Sequence, residues 1–226
     1  MGKFVERVSS GIASLDSMVD GLRSGDNVVL QVDNIDDYRF FVTPFVRRAL
    51  ADHRKVVYMR FARHRPLIEN QPGVITHVLD AYSGFETFST QAYNLITSEG
   101  ENVFYVFDSL SDLLSAWATD LMIGNFFRIA CPYLYQLNTV AYFAILRNSH
   151  SFKTVARIRE TTQVLIDVHN GEDHLYAHPL KVKGRHSPTM FLPHLLQDGG
   201  FIPITSSVDT GRLFSSISRR DTEETR

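Results

Sequence analysis

The stretch Ser24–Val42, SGDNVVLQVDNIDDYRFFV, constrains the fold more than any other part of this 226-residue chain. A Ser24-Gly25-Asp26 turn leads into a β-branched run, Asn27 to Val32, that reads as a strand buried on both faces. A polar loop follows, then an apolar helical pattern through Phe40, Phe41, Phe45, Val46 and Leu50. Strand, loop and helix in that order can grip phosphates when the loop is rich in glycine. Bare backbone N–H groups then wrap the anion, and a lysine reaches its outer oxygens. The loop here, Asp33-Asn34-Ile35-Asp36-Asp37-Tyr38-Arg39, has no glycine and three carboxylates. Bulky side chains block close backbone approach, and the carboxylates repel a polyphosphate. The frame of a nucleotide site is present without its cradle.

Strands and helices alternate on both sides of this stretch. Ile12, Leu15, Met18 and Val19 follow at helical spacing, with Gly21 as the stop. The long helix is predicted over 38–53, and strands over 55–61 and 74–79. A helix is predicted over 85–96 and a strand over 102–107, ending at Asp108. Leu110, Leu113, Leu114 and Trp117 then predict a helix at once, and 119–137 a second. A strand over 139–146, a helix over 151–160 and a strand over 162–168 come next. Asn170-Gly171 signals a hairpin, with the return strand over 174–182. The last strand is predicted at 201–204, and the polar run from Ser215 reads as linker or disorder. The expected organisation is one domain, 1–214, and a tail, 215–226. The class is α/β: a mostly parallel twisted sheet flanked by helices, with an antiparallel C-terminal extension. Ligands of such sheets bind beyond the carboxyl ends of the strands, which here carry Asp33, Phe61 to His64, and Asp108.

A formal net charge of −2 supplies no global basic field for nucleic acid. Cys131 is the only cysteine, which excludes an intrachain disulfide and a cysteine-based zinc site. The start, MGKFVERVSS, lacks the apolar core of a signal peptide, and no apolar run is long enough to span a bilayer. The expected setting is cytoplasmic, with no membrane partner.

Several strings resemble KaiC-like members of the RecA superfamily. Arg7-Val8-Ser9-Ser10-Gly11-Ile12, Leu15-Asp16, Gly21-Leu22 and Gly25-Asp26 are similar to that family's opening. Phe104 to Asp108 with Ser109-Leu110 resembles its Walker B strand. Lys181-Val182-Lys183-Gly184 with Gly199-Gly200-Phe201-Ile202-Pro203-Ile204 resembles its closing segment. The degenerate stretches also resemble a RecA-like module at the N-terminus of phosphoenolpyruvate synthase-like proteins. The resemblance implies a RecA-like fold, a homo-oligomer, and an enzyme partner or fused domain that metabolises phosphoenolpyruvate or pyruvate. It places Arg39 near the P-loop lysine and Phe40 near the Ser or Thr that holds Mg²⁺, and a Phe cannot ligate a metal. Ala62-Arg63-His64 stands where the family carries a Glu pair. Lys181 and Lys183 match positions that reach a neighbour's nucleotide. The implied site is thus a vestigial nucleotide site of Arg39, Asp108, Lys181 and Lys183. Phosphoryl transfer needs the missing parts together, so the expectation is no catalytic residue and no cofactor. The expected role is regulation or assembly. Two alternatives stand beside it: a divergent ATP/Mg-binding phosphotransferase or weak ATPase using Arg39 and the Arg63 cluster, and a nucleic-acid-binding RecA paralogue. The absence of a basic–aromatic stripe disfavours the latter.

Other residues have a plain reading beside a functional one. Asp108 fits a helix N-cap, or a remnant Mg²⁺ ligand. Asp33, Asp36 and Asp37 read as a solvated turn, the alternative being a cation site shared with Asp108. His169, His174 and His178 lie along the hairpin without a third ligand type. Arg60, Arg63, His64 and Arg65 form a basic cluster, either an anion or acidic-partner site or a solubilising loop. Phe126, Phe127, Tyr133, Tyr135, Tyr142 and Phe143 read as core, with part left for a protomer contact.

Overall fold

Why this sequence forms a layered α/β structure is clearest at its centre, in a computed structural model that describes residues 6–171 and 174–224. After a two-residue strand β1 (Arg7–Val8), a short helix α1 (Ala13–Met18) and its partner strand β2 (Leu22–Arg23), the chain enters β3 (Asn27–Val32). Only Gln31 of β3 is not fully buried, as expected for a strand with parallel neighbours on both sides. Helix α2 (Ile35–Ala51) starts earlier than its apolar pattern suggests, because Asn34 and Asp37 form a reciprocal capping box. Gly11 crosses α2 at Pro44 with φ +81°. A Cβ there would lie 2.2 Å from the Pro44 carbonyl oxygen, so only glycine fits.

Next come β4 (Val56–Arg60), β5 (Val74–Val78), α3 (Phe85–Glu99) and β6 (Phe104–Ser109). The helix expected directly after β6 is a 3₁₀ turn, Leu110–Ser115. Then follow α4 (Asp120–Gln136), β7 (Val140–Leu146), α5 (Phe152–Thr161), β8 (Val164–Asn170) and β9 (Leu175–Val182). The described chain closes with β10 (His194–Gln197), β11 (Gly200–Pro203) and α6 (Ser207–Glu224). The run from Ser215, expected to be linker or disorder, therefore continues a helix as far as it is described. The nine-stranded sheet has the order β11-β10-β9-β8-β3-β7-β6-β4-β5. It is parallel from β8 to β5 and antiparallel from β9 to β11, as the alternation and the hairpin signal predict.

Helices on both faces make two apolar layers. Under α2, Phe45 stacks on Tyr142 with ring centroids 4.0 Å apart. Under α3 and α4, Phe107 stacks on Phe143 at 4.4 Å, beside Phe126 and Phe127. Of the aromatic run expected in the core, Tyr133 is only partly buried and Tyr135 is exposed. Among the described residues, no helix is long and apolar enough to cross a membrane.

Candidate functional site

Asp108 is the most completely enclosed charged side chain at the carboxyl edge of the sheet, with no exposed surface. Its Oδ2 accepts the backbone N–H groups of Phe61 and Ala62, each at 2.8 Å, and the Arg60 guanidinium at 3.3 Å. Its Oδ1 accepts the Tyr58 hydroxyl at 2.5 Å. That hydroxyl accepts the Leu67 N–H at 3.0 Å in turn. Burial and the adjacent carboxylate push the Tyr58 pKa well up, so the phenol keeps its proton and donates it. Asp108 is therefore not a helix cap: Ser109 precedes the 3₁₀ turn, and Asp108 reaches across to the end of β4. Its lone pairs are committed to the protein, and no group of three or more His, Cys, Asp or Glu among the described residues is placed to hold a metal. The joint cation site of Asp108 with the β3 loop carboxylates is overturned on the same ground.

Those loop carboxylates are not simply solvated either. Asn34 Oδ1 accepts the N–H groups of Asp36 and Asp37 at 3.0 and 3.1 Å, and Asp37 accepts the Asn34 N–H at 3.3 Å. Asp37 also accepts from the Asn170 side chain at 3.0 Å; burial raises its pKa against these bonds. Asp33 receives Arg147 Nε at 2.5 Å and the Asn170 N–H at 2.7 Å. Arg147 continues to Asp167 at 2.6 Å and to the Val168 carbonyl at 2.8 Å, tying together the ends of β3, β7 and β8. Only Asp36 is largely exposed.

The basic residues are spent in the same way. Arg39 pairs with Asp36 and donates to the carbonyls of Arg65, Pro66 and Leu67, so it fastens the loop after β4. Arg60 also donates to the His64 carbonyl at 2.5 Å, Arg65 pairs with Glu69, and Arg63 lies over the Tyr82 ring. His64 Nε2 stands 3.6 Å from Asp108, beyond hydrogen-bond reach, and is buried without such a partner. Phe40 packs against Phe41 and Phe201. Lys181 and Lys183 are not brought to this place. Lys181 pairs with Leu165, and the Lys183 N–H reaches Gln163, so both lie at the amino ends of the parallel strands. Lys181 Nζ donates to the carbonyls of Arg159 and Glu160. The buried cation there is Arg185, held to Asp26 at 2.8 Å. The hairpin histidines also have other roles: His169 bonds Asp167 at 2.9 Å, and His178 meets the Phe191 carbonyl at 3.1 Å.

No protein-family model matches this chain. No curated protein matches it either.

A second constellation escaped the sequence reading. Ser111 Oγ lies 2.7 Å from His150 Nε2, and His150 Nδ1 lies 2.9 Å from Asp120 Oδ1. Burial alone would raise the Asp120 pKa, but bonds from Ser151, Thr154 and His150 outweigh it and lower it. An ionised Asp120 takes a proton-bearing Nδ1, which leaves Nε2 to accept from the Ser111 hydroxyl. The order matches a nucleophile–base–carboxylate relay. Ser111 is buried, however, and its Oγ also accepts the Leu146 N–H at 2.8 Å. The relay therefore acts as a junction of the 3₁₀ turn after β6 with β7, α4 and α5. Spacings of 9 and 30 residues from Asp120 give no motif from which to see it.

Burial lowers the pKa of His150, and likewise of His178 and His194. A lowered folded-state pKa means that the unfolded chain takes up protons first as pH falls. Stability is then full above the unfolded value of 6.5 and drains away below it, down through the folded pKa. Thermal melts between pH 7.5 and 5 should show a falling Tm, by about 2–4 °C for each kcal/mol of linkage. His150→Gln should flatten that slope; an unchanged slope would remove His150 from the account. Asp26 and Asp112, raised by burial, act with the opposite sign in a more acidic window.

Proposed function

We propose that this chain is a RecA/KaiC-like module without nucleotide hydrolysis, serving assembly or regulation. One observation carries the reading: the chain's own groups fill the places a nucleotide would need. Asn34 takes the second and third N–H groups of α2, which would otherwise face a phosphate. Asp33 takes Arg147, and the loop after β4 takes both Asp108 and Arg39. An incoming Mg-ATP would have to break a capping box and a buried carboxylate network before gaining a single contact.

Isothermal titration with Mg-ATP and with ADP tests this reading. No heat is expected at millimolar nucleotide. Saturable heat would overturn the reading and favour the divergent phosphotransferase, with Arg39→Ala as the next protein to titrate. The enzyme partner implied by the resemblance, one acting on phosphoenolpyruvate or pyruvate, belongs to the same proposal. Co-purification of such an enzyme with the tagged chain, and its absence when the bait is denatured, is the measurement for it.

A further inference from the structure

Among the described residues, the strand β5 is one edge of the sheet and pairs only with β4. The Leu79 N–H donates to the Arg60 carbonyl at 2.9 Å, which fixes the phase of the ladder. Backbone polar groups alternate along a strand, so Ile75 and His77 turn theirs toward β4. Val74, Thr76 and Val78 turn theirs outward. The Val74 N–H is taken by the Gln71 carbonyl, but the outward groups of Thr76 and Val78 find no other strand. Exposed edges are usually blunted by lysine, proline or an inward charge. The sequence VITHV has none of these, and His77, its one titratable group, is bonded to Glu99. Apolar side chains flank the edge instead: Val78 is 78% exposed, Tyr82 53% and Ile75 40%.

We infer that this edge pairs with β5 of a second copy, antiparallel, with Thr76 on the two-fold axis. The register follows from the outward residues. Thr76 faces its own copy and exchanges both N–H···O bonds with it, while the Val78 N–H reaches the Val74 carbonyl across the axis. Every outward group except the Val78 carbonyl, whose partner N–H on Val74 is held by Gln71, is used, and Val74 lies beside Val78, a favourable β-branched cross-strand pair. The paired segment carries no like charges to repel each other. Five residues a side with these flanks fall short of the roughly 1,200 Å² of a standard stable interface, so the dimer is concentration-dependent. This inference rests on the sheet edge alone. Nucleotide binding would overturn the function proposed above and leave it untouched.

Sedimentation of the full chain across micromolar to submillimolar concentration tests it. The expected result is a reversible monomer–dimer equilibrium. Thr76→Pro removes only an outward N–H, and its neighbour Ile75 is already extended, so the ladder to β4 survives. That variant should stay monomeric with an unchanged circular dichroism spectrum; Val78→Lys serves if it fails to fold. Thr76→Cys should oxidise to a disulfide-linked dimer, since directly opposed residues of this type lie about 5.5 Å apart. A wild-type monomer throughout, with no cross-link through Thr76→Cys, would overturn the inference. So would a dimer that Thr76→Pro and Val78→Lys leave intact.

Discussion

Asp108→Ala should lose about 3–5 kcal/mol of stability, because it strands a buried charge together with several donors. Arg60 would lose its carboxylate, and the N–H groups of Phe61 and Ala62 would lose their acceptor in a site closed to water. Tyr58 would also lose the acceptor that orients its hydroxyl toward Leu67. The loop after β4 should then open. Urea unfolding measures the first effect, and limited proteolysis at Arg63 or Arg65 the second. Asp108→Asn keeps one carbonyl oxygen for the N–H groups but turns an amide donor toward other donors, so its loss should be intermediate. A loss under about 1 kcal/mol for the alanine variant would mean that the network only decorates the site. This experiment also bears on function. A residue retained for metal chemistry can be replaced with little structural harm, whereas one that organises a loop cannot.

Arg147→Met is expected to cost on the order of 3 kcal/mol. The methionine fills much of the same path but leaves Asp33 and Asp167 facing each other without the cation that joins them. Burial alone would raise the Asp167 pKa; His169 and Arg147 outweigh it and hold it below its ordinary value. A depressed carboxyl contributes stability that is present above the unfolded pKa of 3.8 and is lost as pH falls through the folded one. Removing Arg147 lets the Asp167 pKa climb. The deficit relative to wild type should therefore be largest near neutrality and shrink as pH approaches the carboxylate range. Paired urea titrations at pH 7 and at a pH below about 3.8 read this difference. A deficit independent of pH would assign the effect to lost packing of the aliphatic stem.

The alternation of elements made the sheet legible, because a strand buried on both faces leaves a run dominated by β-branched or aromatic residues, as Asn27 to Val32 and Phe104 to Phe107 do. What stayed hidden has particular causes. Asp108 satisfies every local criterion for a cap. Only its contacts with Tyr58, Arg60, Phe61 and Ala62, more than 45 residues away, show otherwise. Asn34 and Asp37 carried the capping-box spacing in plain view, but the carboxylates Asp33, Asp36 and Asp37 made the loop read as a turn. The strand β10 was missed although Asp198-Gly199 marks its hairpin; both residues have positive φ, 51° and 77°, as a two-residue turn of the primed type requires. The helix from Ser207 is too polar for periodicity to reveal. The sequence placed Asp33, Phe61 to His64 and Asp108 at strand ends, and the structure has them there. It did not show that these groups are already paired with one another, because pairing is a property of distance.

The ladder between β6 and β7 slips: Val106 stands opposite Tyr142 and Ser109 opposite Ala144, so Phe107 and Asp108 together face Phe143. The Phe107 carbonyl inside this irregularity receives the Tyr38 hydroxyl at 3.2 Å. Side chains alternate between the two faces, so the surplus residue lets two demands be met at once. Asp108 points to the α2 side with Tyr58, while Ser109 and Ser111 stay in step with Ala144 and Leu146. Without the surplus, the carboxylate would swing to the opposite side, among the phenylalanines under α4. Strand length thus aims Asp108. A lineage could exchange many of the residues around this aspartate one by one, but deleting Phe107 alone would turn a neutralised charge into an unpaired one inside oil.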